Sequence, residues 1–167
     1  LLKDDPVYAA KAQKVSELCT DLSTYLLKQD LETLKVQQNA GKVAFHCPCT
    51  LQHAMKQSGV VEQVLTKAGI DLAITKEKHL CCGSAGTYNL VQPDISKQLK
   101  TRKVNTLEAL TPDIIAAGNI GCMMQIGGGT DVPIVHTVEL LDWATGGPQP
   151  PALTQDGKKA PQVPILR

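Results

Sequence analysis

Aromatic residues are scarce: one Phe, one Trp and three Tyr in 167 residues. A core of stacked rings is excluded, and Val, Ile, Leu and Ala must fill it, which a 43% hydrophobic content allows. Charge of one sign is also lacking, since the net charge is +1. Binding nucleic acid by bulk electrostatics needs concentrated Lys and Arg, so that class is excluded. No run approaches the roughly 18 apolar residues of a spanning helix. Leu1-Leu2-Lys3-Asp4-Asp5 is not a charged segment ahead of an apolar one, so no secretory signal is expected there. The phosphate-loop pattern G-x-x-x-x-G-K-[ST] is absent, which argues against Gly83-Ser84-Ala85-Gly86-Thr87 as a phosphate cradle. The ferredoxin spacing C-x2-C-x2-C-x3-C is absent too. So is an initiator Met, and the chain is expected to be a fragment or an excised domain.

What is present is cysteine, six residues in all. A chain of this length does not need disulfides to compensate for a small core. Reduced thiols with metal or redox duties are the better expectation. Cys49, the vicinal pair Cys81-Cys82 and Cys122 fall at three turning points of one repeating pattern. Cys19 lies beside a helical stripe and is expected to be a small buried apolar residue.

Asp4-Asp5-Pro6 reads as a helix start. Val15, Leu18, Leu22 and Leu26 then recur at helical spacing, predicting one or two helices to about Lys35. Lys42 to Phe45 reads as a strand, followed by His46-Cys47-Pro48-Cys49 and a helix from about Thr50 to Gln57. A helix over Val60 to Ala68 precedes a strand over Ile70 to Ile74. The segment His79 to Asn89 leads to a helix from Pro93 to about Leu110, a buried strand over Asp113 to Ala117, and a short helix near Cys122. Pro133 to His136 reads as a last strand, and Thr137 as the cap of a helix that stops at Gly146-Gly147.

Strands alternating with helices imply an α/β fold with a short parallel sheet flanked by helices. The organisation expected is an N-terminal helical segment over 1–40, a cysteine-rich α/β domain over 41–147 and a Pro-rich tail over 148–167. Ligands of such sheets sit beyond the carboxyl ends of the strands. The cysteine sites come after predicted strands, so the architecture would bring them to one edge.

Thiolate is the metal-binding form, and a helix N-terminus favours it; Cys49 and Cys122 both stand at predicted helix starts. Gly83, Gly86, Gly118 and Gly121 flank the thiols and would let the backbone approach a bulky inorganic cluster. The extended side chains of Cys81 and Cys82 diverge, which suits two irons better than one chelated zinc. His46, His53 and His79 lie near cysteines, as ligands or as groups that orient them. His136 is expected to be structural, and Met123-Met124 to pack around the site. Lys97, Lys100, Arg102 and Lys103 read as a solvated helix face, with docking to an acidic partner as the alternative.

The run His79-Leu80-Cys81-Cys82-Gly83-Ser84-Ala85-Gly86-Thr87-Tyr88-Asn89-Leu90 resembles the signature of the cysteine-rich CCG domain. That domain occurs in the catalytic subunit of heterodisulfide reductase and in iron–sulfur subunits of glycolate, lactate and anaerobic glycerol-3-phosphate dehydrogenases. Phe45 to His53, Gly118 to Cys122 and His136 to Asp142 are most similar to the glycolate oxidase (glycolate dehydrogenase) iron–sulfur subunits. The resemblance implies an iron–sulfur cluster, of 4Fe-4S type, on Cys49, Cys81, Cys82 and Cys122 beside Gly83, with Cys47 as a spare ligand. Gln125 stands where the broad pattern has a further cysteine, and Cys47 where the subfamily usually has proline.

The resemblance further implies an electron-transfer role beside a flavin subunit that oxidises glycolate to glyoxylate, with a quinone or another acceptor downstream. A ferredoxin-like N-terminal domain of the same protein is expected, and a cytoplasmic location, at the inner face of the membrane through partners. Two rivals remain: a zinc-stabilised structural domain of such a complex, and a thiol–disulfide enzyme acting through Cys81-Cys82.

Overall fold

A computed structural model describes residues 1–31 and 37–154. Four short β-branched or Ala-rich runs form strands: β1 (Lys42–His46), β2 (Asp71–Ala73), β3 (Ile114–Ala117) and β4 (Ile134–His136). They make one parallel sheet in the order β2-β1-β3-β4. Parallel neighbours require crossovers, which the helices supply. In chain order these are α1 (Ala9–Leu18), α2 (Leu22–Leu27), α3 (Val60–Lys67), α4 (Tyr88–Val91), α5 (Pro93–Glu108), α6 (Ile120–Gly127) and α7 (Thr137–Ala144).

The pleat sorts the core into two layers. Val43, Phe45, Ile114, Ala116 and Val135 share one cluster with Val61 and Leu65 of α3 and with Leu140 and Ala144 of α7. Ala44 and Ile115 share the other with Val104 and Leu107 of α5 and Ile126 of α6. Leu65, Leu107, Ile115, Ile126 and Leu140 are fully buried, each stabilising the fold by about 1.5–3 kcal/mol. The strand order reverses between β1 and β3: the chain leaves β1 toward β2, then crosses back to β3. In open α/β sheets the crevice at such a reversal, beyond the strands' carboxyl ends, is where ligands bind. Here it is bounded by His46 and Ala117, which are register partners.

The predicted α/β sheet and N-terminal helices are present, with differences that have local causes. The apolar stripe of residues 15–26 is broken. The chain turns extended at Cys19, and Asp21 starts α2 by accepting from the backbone N–H groups of Ser23 and Thr24. Cys19 is therefore exposed, not buried as the stripe suggested, and Val15 and Leu18 are exposed with it. α2 ends at Leu27, short of the expected Lys35; residues 32–35 lie outside the described residues, as do Pro161 and Pro164 of the tail.

The helix expected from Thr50 is a single π-helical turn, Thr50–Ala54. The cap of α7 is His136, not Thr137: its Nδ1 accepts from Val138 N–H while the Glu139 carboxylate accepts from His136 N–H. His136 thus has the structural role expected of it. The short α4 was not anticipated. Among the described residues, no helix is long and apolar enough to cross a membrane.

Candidate metal centre

Three loops deliver the thiols to the crevice. Cys49 leaves β1 and immediately precedes the π-helical turn, a departure from regular helix that recurs at functional sites. The Gln52 amide of that turn donates to the carbonyls of Cys47 (2.8 Å) and Lys78 (2.9 Å), tying the Cys49 loop to the segment before Cys81. Cys122 lies in the first turn of α6, and its N–H donates to Oδ1 of the capping Asn119 at 3.2 Å. The loop carrying Cys81 and Cys82 crosses between them. Cys82 Sγ lies 3.2 Å from Cys122 Sγ, and Cys81 Sγ accepts from Gly83 N–H at 3.3 Å.

The geometry of Gly83 is the least replaceable part of this loop. Its φ is +89°, in the left-handed region that favours glycine, and a Cβ there would lie 2.5 Å from the backbone oxygen of Ser96. Ser96 also holds the turn by donating its hydroxyl to Gly83 O at 2.8 Å. The Gln125 amide in turn donates to Ser96 Oγ at 2.8 Å. Gln125, which stands where the broad pattern has cysteine, thus braces the turn through Ser96.

The electrostatics separate the four thiols. Cys82 is pushed well below the ordinary thiol range. The hydrogen-bonded contact with Cys122 is the largest cause, and the His46 imidazole beside it and the Ser84 backbone N–H act in the same direction, together outweighing burial. Cys122 is pushed the opposite way, upward, by the same contact with Cys82 and by burial. Cys49 is raised to about 11 by burial and by the neighbouring Cys81. Protons must leave Cys49 and Cys122 before metal can take their sulfurs. All six cysteines are free thiols.

Strand alternation decides which neighbours belong to the site. Cys47 follows Val43 and Phe45 onto the α3/α7 layer, where it is buried in apolar surroundings that raise its pKa to about 11. His46 has the opposite parity and stands with Cys82 and Cys122, all three buried, their ligand atoms within 4.8 Å of one another. Neither ring nitrogen of His46 completes a hydrogen bond. An unpartnered buried imidazole beside two thiols calls for a ligand or donor role. The period-2 parity of β1 already carries this distinction, so the signal was in the sequence. His53 and His79 are exposed.

Cys47→Ala is accordingly expected to leave metal content unchanged while costing about 1 kcal/mol of core stability. Metal analysis beside a denaturation curve checks this; loss of metal would put Cys47 in the site.

The donor set fits an iron–sulfur group. His46, Cys82 and Cys122 bring their ligand atoms within 4.8 Å of one another, Cys49 and Cys81 lie near enough to act on one another and on that group, and His46 brings unused nitrogens. Sequence reasoning missed Lys103, whose side chain is 1% exposed on the buried stripe of α5 and not on a solvated face. Its place within a run of basic residues hid it.

Comparison with known proteins agrees with this geometry. Residues 43–127, from β1 through α6, match the family described as CCG, cysteine-rich domain. The glycolate oxidase iron-sulfur subunit of Escherichia coli K12 is 45% identical over 144 residues, covering 86% of this chain and 35% of that protein. Lactate utilization protein A of Shouchella clausii is 27% identical over 152 residues, covering 85% of this chain and 62% of its own length. That of Bacillus velezensis is 29% identical over 155 residues, with 85% and 62% covered. The chain thus spans about a third to three-fifths of the length of these relatives. A match over half of the chain that takes in all four converging thiols shows that the chain belongs to the cysteine-rich CCG domain family.

Proposed function

We propose that this chain is part of the iron–sulfur electron-transfer subunit of a 2-hydroxy-acid-oxidising complex, and that the acid is glycolate, oxidised to glyoxylate on a separate flavin subunit. The observation that carries the reading is the convergence of Cys49, Cys81, Cys82 and Cys122 at the crevice between β1 and β3. The relatives named for glycolate oxidase and for lactate utilization support the substrate class, and the 45% relative favours glycolate within it.

The four cysteines would hold the group, of 4Fe-4S type, with His46 as a further ligand or as a donor to Cys82. When bound, an iron–sulfur group supplies reversible one-electron storage. The chain's own residues prepare the place for it. The Cys82 thiol is pushed toward thiolate by its contacts with Cys122, His46 and the Ser84 N–H. Asn119 fixes the first turn of α6 beneath Cys122, and Gln125 and Ser96 fix the Gly83 turn. The α5 and α6 layer keeps Cys82 and Cys122 out of water.

Partners in this reading are the flavin subunit, a further subunit of the complex, a ferredoxin-like domain of the same protein, and a quinone or other acceptor. The location is cytoplasmic, at the inner face of the membrane through those partners.

Anaerobic addition of glycolate to the assembled complex tests the reading. The expected result is flavin bleaching followed by a change in the EPR signal of the iron–sulfur group. Bleaching with no change in that signal would place the group off the electron path.

A further inference from the structure

α5 carries Lys97, Lys100, Arg102 and Lys103. Lys97 and Arg102 are exposed, but Lys103 is 1% exposed and is the largest of the fully buried side chains. Lysine is almost never fully buried without a compensating partner. The Lys103 ammonium donates to the main-chain oxygen of Glu77 at 3.0 Å. A neutral carbonyl offsets little of the cost of removing a full charge from water. The nearby Glu77 carboxylate is engaged elsewhere, by the Arg102 guanidinium and the Thr106 hydroxyl.

Val104 and Leu107, beside Lys103 on α5, share a buried cluster with Cys82 and Cys122, and the further negative charge that can arise there is that of the site thiols once metal replaces their protons. Burial lowers the Lys103 pKa, and Cys49, Cys82 and Cys81 each oppose that, with Glu77. The geometry agrees: Ser96, Lys103 and Leu107 share the buried stripe of α5, with Ser96 holding the Gly83 turn two helical turns before Lys103. One helix face thus carries both the brace of the Cys82 loop and a buried cation.

We propose that Lys103 is a countercharge built into the metal centre, a buried ammonium that stabilises the reduced, more negative state of the group held by the four thiols and so raises its reduction potential. The inference rests on the iron–sulfur reading above. Adding one electron adds one negative charge to the site, and a fixed cation in a low-dielectric wall favours that state. Lys103 is a positioning and tuning residue; it touches neither substrate nor a ligand sulfur.

The test is an anaerobic redox titration, followed by EPR, of the full chain with its bound metal. Four forms are compared: wild type, Lys103→Gln, Lys103→Met and Lys103→Arg. Gln keeps a donor for the Glu77 carbonyl without the charge, Met removes both, and Arg keeps the charge. Gln and Met are expected to shift the one-electron equilibrium at least about tenfold toward the oxidised form, a fall of about 59 mV. Arg is expected to stay near wild type.

If Gln and Met hold iron at wild-type potential, the inference is overturned while the iron–sulfur reading stands. If they lose iron but keep a wild-type far-ultraviolet spectrum while Arg retains it, the charge is required and the inference is supported. If all three lose the fold, Lys103 is a packing residue and the inference fails. A wild-type chain without iron and sulfide would remove the underlying reading instead.

Discussion

Cys82→Ser is expected to strip the chain of its metal. Cys82 is the sulfur on which the site converges. It is 1% exposed, lies 3.2 Å from Cys122 Sγ, has His46 beside it, and is the thiol pushed below the ordinary range. A serine hydroxyl keeps the shape but is neutral where a thiolate ligand is needed. Loss of a ligand at a closed site should weaken metal binding at least about a hundredfold, more than the loss of an outer group would. Bound metal after gel filtration should fall below about a tenth of the wild-type amount.

The fold itself should survive, because a buried hydroxyl left short of partners costs about 1–3 kcal/mol. Within the proposed complex, glycolate should still reduce the proposed flavin subunit while acceptor reduction stops. Metal retained at the wild-type level would show that Cys82 is not a ligand. Unchanged acceptor reduction would show that electrons bypass this chain.

Gly83→Ala is the second large effect. The left-handed φ of +89° costs an alanine about 1–2 kcal/mol. The new Cβ would also stand 2.5 Å from the Ser96 carbonyl oxygen, a backbone atom that cannot swing away. Overpacking of this kind adds about 1–3 kcal/mol. The expected total is about 2–5 kcal/mol, with a melting temperature lower by about 2–4 °C for each kcal/mol.

Gly59 provides the control. Its φ is +86°, but a Cβ there would meet nothing within 4 Å. Gly59→Ala should therefore show the conformational cost alone. Equal melting temperatures for the two variants would mean that the Gly83 turn yields easily. The turn carries Cys81 and Cys82, so Gly83→Ala should also lose metal, whereas Gly59→Ala should keep it.

The strands and the larger helices were legible because apolar runs between glycine breaks record burial directly. Residues 114–117, Ile-Ile-Ala-Ala, are buried throughout, and this continuous pattern marks a strand covered on both faces. The meeting of the thiols was legible as well, since a parallel sheet places the loops after its strands at one edge.

The contacts that escaped depended on side-chain partners distant in sequence. Nothing near Gln125 announces that Ser96 is its acceptor, or that Ser96 in turn holds Gly83. Lys103 sits in a run with the exposed Lys97 and Arg102, yet falls on the stripe of α5 that carries Ser96, Val104 and Leu107 into the interior. Cys19 was misplaced because a single capping residue, Asp21, restarted the helix out of phase. His46 and Cys47 are neighbours with opposite parity, so one faces the site and the other the core.

Iron and acid-labile sulfide content of the anaerobically purified chain, with EPR spectra after reduction and after oxidation, tests the central claim most directly. The account predicts iron and sulfide in near-equal amounts and a signal that disappears in Cys82→Ser. About one zinc per chain, with no sulfide, would contradict it and make the four thiols a structural clamp.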